Sequence, residues 1–371
     1  MTLFSLPLAP RGPLRGAFFM GAVRRFPYLF LRLYKLDSSR EGRKPMWDFS
    51  FSKAVGMVAR TAPFVVLRMI VYFGIAFAYL VAVGFGGLIG YGFGHIGHNP
   101  DSPGMGAFWG GAIGFGLVSA VLYFAREYIL YLVKAAHIAV LVELLDGKEI
   151  PGGQGQVAFG ANFVKTHFGE SSVLFGVDQL IKGVLRAFFR TINFFTAFLP
   201  VPALQQMIRI AEAIVRMSLT YVDEIILAYL IRTRTTNPWN TAKDGLILYA
   251  QNYKHFLKNA AWLSVFLWLL TSLIFVVIVV PFAALAALMH GGGILWALGF
   301  SFIFAWAAKA ALLEPIAIAC LMQVYFKTIE GQTPNAEWDA RLTTVSTRFR
   351  ELGAKAAGWT PAPKMPEPKA S

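Results

Sequence analysis

The chain has 371 residues, 56% of them hydrophobic and only 15% charged, with a mean hydropathy of +0.56. A soluble globular protein carries about 25% charged and about 45–50% apolar residues, so this composition excludes a disordered chain, a secreted disulfide scaffold and an ordinary soluble enzyme. It predicts an all-α, polytopic membrane protein, and the formal charge of +14, spread between apolar segments, suits anionic lipid and not nucleic acid.

Residues 1–62 read as a basic cytoplasmic segment. The stretch from Arg24 to Lys35 (RRFPYLFLRLYK) mixes bases with aromatics as interfacial segments do, which makes Arg24, Arg25 and Arg32 candidate lipid-binding residues. It contains no sustained apolar core followed by a small-residue cleavage site, so no signal peptide is expected. Four apolar runs follow, at about 63–94, 107–133, 261–289 and 294–320. Each is long enough to cross about 30 Å of hydrocarbon as a helix. They lack the alternation of a barrel, and backbone groups in lipid have to be satisfied internally, so all four are predicted helical. The connections 95–106 and 290–293 hold no Lys or Arg, whereas bases crowd the regions before Pro63, between Lys134 and Lys258, and after Cys320. The positive-inside rule then places both termini and the middle region in the cytoplasm, in a plasma membrane or bacterial inner membrane.

The first pair of spans (63–133) is rich in glycine. Gly86, Gly90 and Gly94 recur every four residues at the end of one span, and Gly106, Gly110 and Gly114 do so at the start of the next. Antiparallel neighbours have residue numbers with a constant total, and pairing 86 with 114, 90 with 110 and 94 with 106 gives 200 each time. Touching small-residue ridges are predicted, as tight packing or as a hinge or homo-oligomer seam. His95, His98 and Asp101 on this connection, with His290 on the other, are weak metal-ligand candidates.

The middle region, 134–260, holds an amphipathic hairpin over 174–232. Leu174, Val177, Ile181, Val184, Phe188, Ile192 and Phe195 keep helical spacing beside a polar stripe of Asp178, Lys182, Arg186 and Arg190. A second helix, about 203–232, carries Arg209, Glu212, Arg216, Asp223 and Glu224. Three bases in lipid would each cost about 2.5–3.5 kcal/mol, so the hairpin is expected at the cytoplasmic interface, with Lys182, Arg186 and Arg190 toward lipid headgroups; six spans result if it inserts.

The second pair of spans (261–320) carries the buried charge. Lys309 and Glu314 lie in its last helix, and five residues turn an α-helix by about 500°, which keeps the two off one face. Each then needs a partner elsewhere, with Arg126 and Glu127 on the second span and Glu212, Arg216, Asp223 and Glu224 in the hairpin as candidates for a shared substrate path. Residues 321–371 are expected to form a cytoplasmic helix and a Pro-rich, disordered tail. No HExxH, GxSxG or Walker A pattern is present, so no enzyme and no cofactor are expected; a single Cys320 allows no internal disulfide.

From about Arg209 onward the chain resembles the C-terminal half of the choline transporter-like family. The resemblance rests on the charged helix, on Thr241-Ala242-Lys243-Asp244 with Leu246 and Asn252, and on the long pair of spans that follows. It implies small-molecule or lipid-precursor transport. Two function classes therefore stand: a transporter- or channel-like protein with a polar path, and a noncatalytic scaffold that holds anionic lipid or a cytoplasmic partner. Convergence of the hairpin charges on one cavity favours the first, and a flat stripe at headgroup level favours the second.

Overall fold

A computed structural model describes residues 47–96, 101–150, 155–168, 171–197, 221–234, 236–287 and 293–360. Its helices lie within one unit, Asp48–Ser371. Arg24, Arg25 and Arg32 lie outside the described residues.

Local chemistry sets the helix boundaries. Ser50 opens α1 (Phe51–Arg60) by accepting from the Lys53 amide at 3.2 Å, an N-cap. Thr61 interrupts the helix, and Pro63 restarts it in the first turn of α2 (Ala62–Gly94), where a missing N–H costs little. Pro103 does the same for α3 (Ser102–Leu145). Then come α4 (Gly155–Phe168), α5 (Ser171–Ala197) and α6 (Val222–Thr233), before α7 (Pro238–Gln251), which is capped by Asn237. Pro281 lies within α8 (Tyr253–Ala287). Helix α9 (Gly293–Ala308) passes through a π turn, Lys309–Leu313, into α10 (Glu314–Ile329). Asn335 and Ser346 cap α11 (Ala336–Val345) and α12 (Thr347–Ala357). Every regular element among the described residues is helical.

Among the described residues four stretches are long and apolar enough to cross a membrane: α2, Ser102–Val121 of α3, α8, and the run Ala297–Ile329 through the π turn. The predicted spans fall on these helices. At 1.5 Å per residue, α3 is about 66 Å long, twice the hydrocarbon thickness. Its second half therefore projects beyond the spans and packs with α4, α5 and α6. Ile70, Phe77, Leu88, Trp268, Val277 and Phe302 stand exposed along the spans, a surface that lipid matches and water does not.

The glycine ridges meet, but one helical turn away from the predicted register. A Cβ built on Gly86 would fall on the Gly110 carbonyl, one on Gly90 on the Gly106 carbonyl, and one on Gly114 on the Ala82 carbonyl. Gly94 faces Ser102 and Pro103. Facing residue numbers thus total 196, not 200. The turn decides this: α2 ends at Gly94 and α3 begins at Ser102, so the hairpin is centred on residue 98. A four-residue repeat fits itself at every shift of four, and only the turn chooses among them.

The middle region also departs from the expected interfacial hairpin. In α5 the apolar positions Leu174, Val177, Ile181 and Val184 are buried within the protein, and the helix packs against α7, α11 and α12. Gly183 lies against the aliphatic stem of Arg348. Helix α6 is buried on nearly every side, with Ile226, Ala228, Leu230 and Ile231 fully covered. Its neighbours α3, α5, α7 and α10 occupy the positions that lipid would take. The apolar stripes of this region are therefore the core of a helical layer at the Lys- and Arg-rich end of the spans. The linking segment 198–220 lies outside the described residues, with Glu212 and Arg216 in it.

Candidate functional site

Pro315 shapes the site. It has no N–H, so a regular α-helix would leave the Ala311 carbonyl without its donor. The chain answers with a π turn, in which the Glu314 amide donates to the Lys309 carbonyl, five residues back. In that register the donor to the Ala310 carbonyl would come from Pro315, which has none. Arg68 of α2 supplies it: Nη2 donates to the Ala310 carbonyl at 3.0 Å and to Glu314 Oε2 at 3.1 Å. Arg68 is 1% exposed, on a helix otherwise facing lipid or apolar neighbours. From Ile294 to Glu314 is about 30 Å of helix, about the thickness of a hydrocarbon core.

A larger network continues from it. Lys134 of α3 reaches Glu314 at 3.6 Å and Glu224 of α6 at 3.0 Å. Lys182 of α5 reaches Asp178 at 2.7 Å and Asp223 at 3.5 Å. These groups border a cavity of about 400 Å³ that Tyr72, Tyr131 and Trp306 also line. Burial opposes the charge on Lys134, but Glu224 and Glu314 outweigh it and hold the ammonium well above the ordinary lysine value. Asp178 and Asp223 likewise hold Lys182 up against burial. Burial also pushes Glu224 up, yet Lys134 wins and its carboxyl lies below the usual range. Asp223 goes the other way: burial, then the neighbouring Glu224 and Asp178, raise it well above the carboxylate range.

Beside this network, His137 of α3 is fully buried and stacks on Phe64 at 4.9 Å. Its Nε2 lies 2.9 Å from the Thr61 hydroxyl, which itself donates to the Val58 carbonyl at 3.0 Å. The other ring nitrogen, Nδ1, is buried and has no hydrogen-bond partner among the described residues. Burial, then Arg68, press its pKa well down and keep the ring neutral.

Glu314, Asp223, Glu224 and Lys182 are thus brought together. Lys309 stands apart, half-buried and without an ion pair or side-chain hydrogen bond among the described residues. The rotation argument for it assumed α geometry, whereas the backbone between Lys309 and Glu314 is a π turn with an i→i+5 bond. Glu314 nevertheless pairs with Arg68 and Lys134. The side chains of Arg126 and Glu127 lie outside the described residues. Arg186 and Arg190 are exposed, and Arg186 Nε donates to the Lys182 carbonyl at 3.2 Å. On the opposite end, His95 Nδ1 lies 3.1 Å from the Tyr91 carbonyl, and Asp101 stands at the start of α3. His98 and His290 lie outside the described residues. Among the described residues no three His, Cys, Asp or Glu are grouped to hold a metal ion.

Sequence reasoning missed Arg68, Lys134, Tyr131 and His137. Arg68 had a readable signal, a lone Arg within the first apolar run, which marks an intramembrane ion pair by default. Lys134 was masked by its position just past the second run. Compared with family models, curated proteins and solved structures, the chain matches none.

Proposed function

We propose that this integral membrane protein is transporter-like and that the charged cavity at the basic end of its spans loads a small polar solute. The observation that carries the reading is convergence: Lys182 and Asp223 turn toward the cavity that Lys134 and Glu314 also line, instead of forming a stripe toward headgroups. Its volume falls in the range of small-molecule sites, about 300–1,000 Å³. Carboxylates and ammonium groups beside Tyr72, Tyr131 and Trp306 suit a solute with a positive or zwitterionic head, which aromatic faces and carboxylates both attract. The resemblance of the chain from Arg209 onward to the choline transporter-like family points the same way. Both termini are taken to be cytoplasmic, with the cavity opening on that side.

The test is flux of radiolabelled amino acids and small ammonium compounds into vesicles reconstituted with the purified chain. Flux of at least one probe should fall in Lys134→Met and Glu314→Gln while folded protein is recovered. The reading fails if no probe shows flux sensitive to either change. Exposed Arg186 and Arg190 support a second reading, a noncatalytic scaffold binding anionic lipid. That reading predicts vesicle binding that survives Glu314→Gln and falls with the two arginines.

A further inference from the structure

Among the described residues four carboxylates, Asp178, Asp223, Glu224 and Glu314, face three bases, Arg68, Lys134 and Lys182. The bases are used unequally. Arg68 and Lys134 are spent on Glu314 and Glu224, and Lys182 sits 2.7 Å from Asp178 but 3.5 Å from Asp223. Asp223 is left with the poorest counter-charge while being only 7% exposed. It is the neighbour of Glu224 on α6, and both carboxylates line the same cavity. Two ionised carboxylates side by side repel, and neither has a hydrogen to give the other.

A second observation points to the same conclusion. Among the described residues Glu224 Oε2, which is buried, has no donor, and the Tyr131 hydroxyl at the cavity wall has no partner. Orphaned buried polar atoms cost about 1–3 kcal/mol each and call for an explanation. An O–H on Asp223 would answer the Glu224 acceptor and reduce the cluster to three negative and three positive charges.

We propose that the cavity is a proton-binding site, with one proton held on Asp223 and donated to Glu224 Oε2. The proton comes from water when the cavity is accessible and returns to it when a base or a cation compensates Asp223. Its use as the coupling ion rests on the transport reading; the site itself does not. Among the described residues the groups facing Asp223 are Glu224 on α6, Asp178 and Lys182 on α5, Lys134 and Tyr131 on α3, and Glu314 on α10, with Arg68 of α2 behind Glu314. Helix α7 also packs on α6, but its Lys243 is bound to Asp339 and its Asp244 to Asn240.

Infrared spectroscopy of the purified full chain in lipid nanodiscs tests this, independently of any flux. At neutral pH the wild-type protein should show the C=O stretch of a protonated carboxyl group, titrating away above the ordinary aspartate range. Asp223→Asn should abolish the band. Asp178→Asn should lower its midpoint by about one pH unit, since a like charge goes and Lys182 turns to Asp223, and Lys182→Met should raise it by about as much. The absence of the band in wild type, or its survival in Asp223→Asn, overturns the proposal. Where Asp223→Asn is not recovered folded, the opposite shifts of the other two variants carry the test, and a midpoint that moves with neither overturns it.

Discussion

Arg68 donates to the Ala310 carbonyl at 3.0 Å, and that carbonyl is the one acceptor that Pro315 strips of its backbone donor in the π register. The same guanidinium neutralises Glu314, the residue between the π turn and the proline. One proline therefore creates the irregular turn, and one arginine on another helix makes it affordable in a low-dielectric setting.

The first prediction is that Arg68 and Pro315 are energetically coupled. Arg68→Met leaves Glu314 without its closest counter-charge and the Ala310 carbonyl without a donor, a loss of about 3–5 kcal/mol by analogy with broken buried pairs. Pro315→Ala returns an N–H to the helix and removes the carbonyl's need. A double-mutant cycle, read by denaturant unfolding in detergent, should show Arg68→Met costing about 1 kcal/mol less in the Pro315→Ala background. Strict additivity would sever the link between the two.

A second prediction follows from the glycine contacts. Gly90 and Gly110 meet opposing backbone, which cannot move aside as a side chain can, whereas Gly92 has nothing within 4 Å of its would-be Cβ. Gly90→Leu and Gly110→Leu should each lower stability by more than the usual overpacking cost of about 1–3 kcal/mol. Gly92→Leu should be nearly neutral in the same thermal-unfolding assay. Equal losses at all three sites would contradict the observed register.

The fold was largely legible because hydropathy and length decide spans almost alone: the four runs predicted from composition coincide with α2, α3, α8 and the α9–α10 run. Other features were not legible, for physical reasons. The glycine ridges repeat with period four, so their sequence is compatible with several registers and only the turn between Gly94 and Ser102 selects one. Helix α6 looks amphipathic in isolation, but Asp223 and Glu224 face a charged cavity within the protein and not water. Charge on one helix says that a partner exists, not where, and Lys134 and Arg68 were the partners that spacing could not name.

Orientation yields a third prediction. Single cysteines at Asp101 and Gly292 should react with an impermeant thiol reagent added outside intact cells, and those at Gly153 and Ala354 should react only after permeabilisation. Cys320 is buried and should stay silent. External labelling at Gly153 would reverse the assignment of sides.

The fourth prediction concerns acid stability. Glu224 has its carboxyl held below the usual 4.5, with burial opposing and Lys134 prevailing. Its contribution to stability is thus fully present above the unfolded value and lost as pH falls through the folded one. In Lys134→Met the largest lowering influence is gone while burial stays, so the Glu224 carboxyl should move up and its stabilising contribution should shrink or change sign. The acid-side loss of stability should therefore be smaller in that variant than in wild type. Melting temperature against pH in detergent reads the difference, and parallel curves would remove Lys134 as the controlling partner.

The last prediction separates the arginines of α5 from its lysine. Sequence spacing put Lys182, Arg186 and Arg190 on one stripe, but their surroundings differ. Lys182 bridges Asp178 and Asp223 at the cavity, while Arg186 and Arg190 are exposed on the outer turns of the same helix. Lys182→Met takes the close counter-charge from buried Asp178 and should destabilise the protein by about 2–4 kcal/mol, at the lower side of broken buried pairs because the lysine is partly exposed. Arg186→Gln and Arg190→Gln should each change stability by no more than about 0.5 kcal/mol. If the two arginines meet anionic headgroups, their joint replacement should weaken binding to anionic vesicles by about 1 kcal/mol per base with the fold intact. Denaturant unfolding and vesicle co-sedimentation on the same three variants read the two effects apart. Equal destabilisation by all three would return Lys182 to the surface stripe and dissolve its role at the cavity.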